Sequence, residues 1–347
     1  MGTVLTIIIG LLMLTILVVI HEGGHFFVGR ACGMRIDEFS VGFGPKLFSR
    51  EKKGILYSVR ALPLGGFVQF YGEDEEVDAA YEPRAFNNRP IWQRALTLVA
   101  GSLMNIITAL IITIFVLTIF GDYVPTVHEV SPDMPAAEVG IEVGDRIVSF
   151  NGKKIDFSME FEQAVAKGFA AQDDVEVTVL RDGKAIDFTV PLQEDAETGT
   201  KKMGIKYDVS ARNKFGFFEA IGLSFKWMYL IIVEMFQVLG ALIFKGQGLD
   251  GLAGPVGTIS LIGQAVRSGP EITLRIAALL SINLGIMNIL PFPALDGGRL
   301  LFLGIEKLRG KPLPRDKEGY INLAGLVLLF ALMIFLTYQD IARLFIK

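Results

Sequence analysis

Long apolar runs are the feature of this sequence that most constrains its fold. Three of them, residues 3–27, 91–120 and 321–336, suit helices that cross about 30 Å of hydrocarbon. Composition agrees, because 51% of the residues are hydrophobic and 20% are charged, against about 45–50% and about 25% in soluble domains. We therefore expect a polytopic α-helical membrane protein.

Two further apolar segments are less regular. Residues 272–289 are followed by Pro291 and Pro293, which predicts a membrane-spanning helix that unwinds at one end, where protein or a water-filled cavity receives the irregular backbone. Residues 217–244 could form a fifth span or an amphipathic helix in the membrane interface. Their apolar pattern is interrupted by Glu219, Lys226, Glu234 and Gln237.

The distribution of basic residues predicts the orientation of the chain in the membrane. The positive-inside rule places basic loops in the cytoplasm. Basic side chains follow the first span and precede the last one: Arg30, Arg35, Lys46, Arg50, Lys52, Lys53 and Arg60, then Arg299, Lys307, Arg309, Lys311 and Arg315. The acid-rich region between the second span and residue 217 then faces outward. This topology closes with about four transmembrane helices, provided that residues 217–244 lie on the surface or re-enter it.

Residues 122–207 change to short strands and turns, including an Asp182-Gly183 hairpin signal. This pattern predicts one inserted α+β domain. The segment SPDMPAAEVGIEVGD, residues 131–145, resembles a PDZ domain of the bacterial, circularly permuted kind. Such a domain could hold an extended peptide at a sheet edge, or it could serve as a rigid spacer or steric filter. His128, within it, is expected to be a solvated strand residue.

The strongest chemical signal is the segment HEGGH, residues 21–25. On a helix, His21 and His25 share one face, so both imidazoles can bind one zinc ion with Glu22 beside it. Ionisable residues inside a membrane span are expensive and usually functional. The alternative is a pair of interfacial histidines that hydrogen-bond to their neighbours. The adjacent Gly23 and Gly24 weaken the helix and suggest close approach of another backbone.

A catalytic zinc needs three protein ligands and an open position. The chain has one cysteine and three histidines, so a carboxylate must complete the site. Asp296 is the best candidate, because it lies in NILPFPALDGG, residues 288–298, at the cytoplasmic depth expected for the two histidines. It could instead cap the following helix. Glu234 and Glu306 are weaker candidates.

Together these segments resemble the site-2 protease family, in particular the bacterial regulator-of-sigma-E protease type. Further matching segments are VGFGP at 41–45, ALPLGGFV at 61–68, FNNR at 86–89, GPVG at 254–257 and SINLG at 281–285. One departure is that the insert has room for one PDZ domain, whereas some relatives carry two. The resemblance implies an intramembrane zinc endopeptidase that cuts transmembrane helices.

The resemblance also implies roles for residues. It implies one Zn²⁺ per chain on His21, His25 and Asp296, with Glu22 as the catalytic residue. Asn283 and Asn288 would face the substrate. The implied substrates are single-pass membrane proteins, such as anti-sigma factors or signal-peptide remnants. The implied location is the bacterial inner membrane, with the active site near the cytoplasmic side and the PDZ-like domain outside the cytoplasm.

Residues 61–70 are interpreted as part of a membrane-associated β-hairpin. There Gly65, Gly66 and Phe67 could let an unwound substrate pair alongside; the alternative is an ordinary cytoplasmic hairpin with glycines at a turn. The expected regions are 1–120, with two transmembrane helices and the hairpin; 121–210, the PDZ-like domain; 211–270, a membrane-associated region; and 271–347, the last two transmembrane helices.

Two other functions compete with proteolysis. One is a non-catalytic membrane scaffold or chaperone that uses the PDZ-like domain, and the intact HExxH pattern argues against it. The other is a transporter with a broken helix, but no internal repeat is visible. A net charge of −4 argues against nucleic acid as a partner and leaves the lipid bilayer and membrane proteins.

Overall fold

The computed structural model describes residues 3–73, 78, 82–194, 200–208 and 212–345. In chain order the helices and strands are α1 (Thr3–Ala31), β1 (Ile36–Lys52), β2 (Ile55–Phe70), α2 (Ile91–Ile119), β3 (Asp122–Tyr123), β4 (Thr126–Val130), α3 (Pro135–Glu138), β5 (Arg146–Phe150), β6 (Lys153–Lys154), α4 (Ser158–Ala171), β7 (Asp174–Arg181), β8 (Lys184–Pro191), β9 (Gln193–Glu194), β10 (Lys201–Lys202), β11 (Ile205–Asp208), β12 (Arg212–Asn213), α5 (Phe217–Lys245), α6 (Pro255–Ser268), α7 (Pro270–Ile289), α8 (Asp296–Arg309) and α9 (Arg315–Phe345). The chain divides into two compact units. Unit 1 comprises Met1–Thr113 and Met228–Lys347, and unit 2 comprises Ile114–Trp227.

Five helices among the described residues are long and apolar enough to cross a membrane: α1, α2, α5, α7 and α9. The three regular apolar runs of the sequence, residues 3–27, 91–120 and 321–336, lie within α1, within and just beyond α2, and within α9. Helix α7 ends at Ile289, just before the two prolines, because proline cannot continue the helical hydrogen-bond ladder. Helix α5 is continuous over 29 residues despite its charged side chains.

The two long strands of unit 1 form a curled sheet. Residues 38–41 of β1 pair with residues 66–69 of β2 on one side and with residues 56–59 on the other. The end of β2 therefore has β1 on one side only. The far part of the hairpin is open, with Leu47 71% and Phe48 66% exposed.

Helix α6 is held between the first turns of α1 and the end of α9. A Cβ atom on Gly263 would lie 2.0 Å from Thr6 Cγ2, so the two helices meet where α6 has no side chain. At the other end of α6, the N–H groups of Gly254 and Gly257 donate to the Asp340 carboxylate at 3.2 and 2.7 Å. A buried carboxylate thus satisfies the amino-terminal donors of α6.

Unit 2 contains a twisted antiparallel sheet in the order β11-β4-β5-β7-β8, with β6 beside β5. Helix α4 covers a core in which Phe150 and Phe161 are almost fully buried. Burial raises the pKa of Asp145, but hydrogen bonds from Arg181 outweigh that cost and leave the pKa below its usual range. Strands β3 and β12 pair with each other, so the chain enters and leaves the sheet domain side by side.

Candidate active site

Two histidines and one aspartate of unit 1 converge on a single point. His21 and His25 lie one turn apart on α1 and are 5% and 7% exposed. Their Nε2 atoms are 3.1 Å from each other, and they lie 3.1 and 3.2 Å from Asp296 Oδ2. Within the described ranges, this is the one group of His, Cys, Asp and Glu side chains close enough together to hold a metal ion.

The spacing of these three atoms fits zinc. Ligand atoms about 2.0–2.1 Å from a tetrahedral zinc are separated from one another by about 3.3 Å. The three measured separations, 3.1–3.2 Å, are close to that value. The donor set of two imidazoles and one carboxylate is also one that catalytic zinc sites use, leaving a fourth position open.

A tight turn between α7 and α8 brings the carboxylate to the histidines. Cβ atoms on Gly297 and Gly298 would lie 2.0 Å from Leu290 O and 2.4 Å from Phe292 O, so the turn requires glycine at both positions. Asp296 is the first helical residue of α8, and the N-cap position belongs to Leu295. The Asp296 carboxylate contacts both histidines. Because Asp296 is not the N-cap residue, helix capping does not account for its position.

Asp296 carries its charge at this position. Burial raises the pKa of its carboxyl, but hydrogen bonds to His21 and His25 outweigh burial and lower the pKa to about 2. The group is consequently a carboxylate at neutral pH, which is the form that binds a metal ion.

Helix α2 forms the wall behind the two histidines. A Cβ atom on Gly24 would lie 2.3 Å from Ala100 O, which confirms the close backbone approach suggested by the glycine pair. A Cβ atom on Gly101 would lie 2.4 Å from His25 Nε2. His25 Nδ1–H donates to Thr97 O at 2.8 Å, and Asn105 Nδ2 lies 3.2 Å from His21 Nδ1.

Thr97, Gly101 and Asn105 are spaced at i, i+4 and i+8, so they form one stripe along α2. Gly101 and Asn105 are small and amide residues of a kind common where membrane helices pack closely. Their contacts with the histidines were not foreseen. The i, i+4, i+8 spacing is the one sequence feature that could indicate a shared contact surface for these three residues, but the same spacing is common in packed helices.

Glu22 faces a cavity beside the metal-ligand candidates. The cavity measures about 720 Å³ and is lined by residues of α1, β2, α2, α7 and α8. The Val68 backbone N–H donates to Glu22 Oε2 at 3.1 Å. Gly65, Gly66 and Phe67 also line this cavity, so the last part of β2 forms one of its walls.

The other candidate residues are distributed as follows. Asn288 lines the cavity, whereas Asn283 is exposed and is not part of its lining. Five residues correspond to a rotation of about 140° along a helix, so the two side chains leave α7 in different directions. Glu306 forms an ion pair with Arg94 at 3.0 Å, and Glu234 is exposed on α5. His128 is exposed on β4 and lies 3.4 Å from Asp208.

Comparison with known proteins gives one family. The family model described as Peptidase family M50 matches residues 9–332. The chain belongs to peptidase family M50. The chain is 30% identical to the regulator of sigma-W protease RasP of Bacillus subtilis, over 98% of this chain and 99% of that protein. It is also 30% identical to the zinc metalloprotease RasP of Bacillus licheniformis, over 98% of this chain and all of that protein.

Among solved structures, part of the chain is similar to the PDZ domain of an SdrC-like protein from Listeria innocua. The identity is 26%, the match covers 26% of this chain and all of that one, and the TM-score is 0.22.

Membership in the M50 family agrees with the site and with the apolar helices. The chain is a multi-pass membrane protein and an intramembrane zinc metalloprotease. The predicted site-2 protease resemblance is thereby confirmed, and the scaffold and transporter hypotheses are set aside.

Proposed function

We propose that this M50 protease hydrolyses peptide bonds within or beside the transmembrane helices of single-pass membrane proteins, with one Zn²⁺ per chain. His21, His25 and Asp296 hold the ion, and Glu22 is the catalytic residue. The observation that carries this assignment is the convergence of three ligand atoms at 3.1–3.2 Å, next to a carboxylate that faces the same cavity.

The chain's own groups divide the work of hydrolysis. When bound, zinc would polarise the scissile carbonyl and lower the pKa of water at the site. Glu22 takes a proton from the attacking water and returns it to the leaving amine. The N–H of Val68 holds the Glu22 carboxylate toward the cavity, which fixes the position of this proton carrier. Asn288, which also lines the cavity, would hydrogen-bond to the substrate backbone.

The end of β2 gives an unwound substrate a place to bind. A helix hides its carbonyl groups in i→i−4 hydrogen bonds, so it must open before hydrolysis. Residues 66–69 pair with β1 on one side, and the N–H of Val68 points to the cavity on the other. A substrate strand added along Gly65, Gly66 and Phe67 would replace its lost helical hydrogen bonds with bonds to β2. Asn283, exposed on α7, would contact the substrate only outside the cavity.

The remaining assignments follow from charge and family. The active site would lie near the cytoplasmic side of a bacterial inner membrane, where the basic loops lie. Unit 2 would be an extracytoplasmic PDZ-like domain, and α5 would lie at the membrane surface. Substrates would be anti-sigma factors or signal-peptide remnants, in line with the sigma regulation named for the relative from Bacillus subtilis.

The following test distinguishes the proposed catalytic base, Glu22, from the proposed zinc ligands. In purified protein reconstituted with a transmembrane substrate, Glu22→Gln should keep its zinc and lose about 10²–10⁴-fold in cleavage rate, because it loses a proton acceptor but no ligand. His25→Ala and Asp296→Asn should weaken zinc binding as well, as measured by elemental analysis. Normal turnover by Glu22→Gln would show that this residue is not the base.

A further inference from the structure

Both histidines of the site direct their second ring nitrogen at α2. Nδ1 of His25 donates to the backbone oxygen of Thr97 at 2.8 Å. Nδ1 of His21 instead meets the side-chain amide of Asn105, whose nitrogen lies 3.2 Å away. Asn105 is 0% exposed and His21 is 5% exposed, so solvent does not supply another hydrogen-bond partner to the Asn105 amide or to Nδ1 of His21.

The atoms at this second contact are mismatched if His21 binds a metal ion. An imidazole that offers its Nε2 lone pair to a metal carries its hydrogen on Nδ1, so Nδ1 is a donor. The Asn105 Nδ2 group is also a donor, and two donors cannot share a hydrogen bond. Meanwhile Asn105 Oδ1 is buried and has no hydrogen-bond partner among the described residues.

One rotation resolves the mismatch. The oxygen and nitrogen of a side-chain amide exchange places when the group turns by about 180°, and its shape is unchanged. Oδ1 then faces His21 and accepts its Nδ1–H, while Nδ2 takes the buried place that Oδ1 held. The buried oxygen gains a partner, and His21 gains an acceptor that matches the Thr97 oxygen at His25.

We propose that Asn105 is a positioning residue for the metal site, with its Oδ1 accepting the Nδ1–H of His21. This rests on the proposed zinc site. The contact fixes the tautomer of His21 and orients its ring, so that Nε2 points at the same place as His25 Nε2 and Asp296 Oδ2. Helix α2 therefore supplies one acceptor to each histidine, a backbone oxygen to His25 and a side-chain oxygen to His21.

The proposal is tested through zinc affinity, which does not depend on cleavage. The affinity of detergent-purified protein is measured by competition with a chelating dye. Asn105→Leu and Asn105→Ala should lower it about 10–100-fold, the usual cost of losing an outer partner of a metal-bound histidine. Asn105→Asp keeps an acceptor at this position and should stay within about threefold of the unsubstituted protein.

The matched control is Thr113→Val, on the same helix. Thr113 is also buried and polar, but its hydroxyl bonds to Ala109 O of its own helix, so zinc affinity should not change. Unchanged affinity in both Asn105→Leu and Asn105→Ala would overturn the proposal. If Asn105→Asp were as weak as Asn105→Leu, the amide orientation would be wrong.

The outcomes also separate this proposal from the proposed function. A protein that binds zinc with the expected dependence on Asn105, yet cleaves no transmembrane substrate, would contradict the function and support the positioning role. If the unsubstituted protein bound no zinc, the metal site and the role of Asn105 would both be rejected.

Discussion

At the scale of single residues, the candidate metal site depends on a glycine at position 101, where a side chain would collide with a histidine. Gly101 lies so close to His25 that a Cβ atom would be 2.4 Å from Nε2, the atom that would bind zinc. Gly101→Ala should therefore displace His25 and reduce zinc affinity by more than the roughly 10–100-fold cost of losing an outer contact. The measurement is chelator competition on the purified variant.

The control for this prediction is another helical glycine of unit 1. Among the described residues, no atom outside its own helix turn lies within 4 Å of a Cβ built on Gly304 of α8, so Gly304→Ala should leave zinc affinity unchanged and alter stability by no more than about 1 kcal/mol. Equal zinc affinity in the two alanine variants would show that the histidines can move away from α2 without cost.

The same residues show what the sequence could reveal. His21, Glu22 and His25 were recognisable, because their spacing and their place in an apolar helix both indicate metal chemistry. Asp296 followed from the need for a third ligand. Gly101 and Asn105 were not recognisable as part of the site, since small and amide residues in a membrane helix also serve ordinary packing. Only the contacts of Gly101 and Asn105 with the two histidines in the structure distinguish the two roles.

At the scale of elements, α5 is long and apolar enough to cross the membrane, but its neighbours favour a helix that does not cross. Helix α6 contacts Thr6 near the start of α1 and Asp340 near the end of α9, and the positive-inside rule puts both of those ends outside the cytoplasm. Helix α5 leads from unit 2, on the same proposed side, into the short loop before α6. Both ends of α5 would then lie outside, which favours a surface or re-entrant helix and four crossings.

Accessibility of the loop after α5 tests this topology. In right-side-out membrane vesicles, Gln247→Cys should react with a membrane-impermeant maleimide, because this exposed loop residue would face outward. The native Cys32 follows α1 on the proposed cytoplasmic side and should remain unlabelled until the vesicles are opened. Protection of position 247 in sealed vesicles would mean that α5 crosses the membrane.

The curled sheet is an element that the sequence predicted only partly. The glycines in residues 61–68 indicated a strand beside the active site. The sequence did not reveal that residues 38–41 would be enclosed between two parts of β2, because the hydrophobic pattern does not encode a strand that folds back across its own hairpin. This arrangement places the end of β2, with the N–H of Val68, against Glu22.

At the scale of the whole molecule, the candidate metal site and the inserted domain occupy different parts of the chain. His21, His25 and Asp296, together with Thr97, Gly101 and Asn105, all belong to unit 1. Strands β3 and β12 pair where the chain enters and leaves the sheet domain, so its two ends are adjacent. Insertions with adjacent ends are the ones that a host domain tolerates and can lose.

Excision of the insert is therefore expected to spare the metal site. Replacing residues 124–211 by a short Gly-Ser linker should leave zinc affinity unchanged and should preserve cleavage of a substrate that has little chain outside the membrane. A second variant, Phe161→Ala, should destabilise the insert by about 3–5 kcal/mol, because it empties a fully buried site, and should likewise keep its zinc. Loss of zinc in both variants would contradict the independence of the two parts.

Substrates with a bulky folded outer domain distinguish the two roles considered for the insert, a steric filter and a peptide receptor. A steric filter predicts that excision allows their cleavage, whereas a peptide receptor predicts slower cleavage of substrates that carry its peptide.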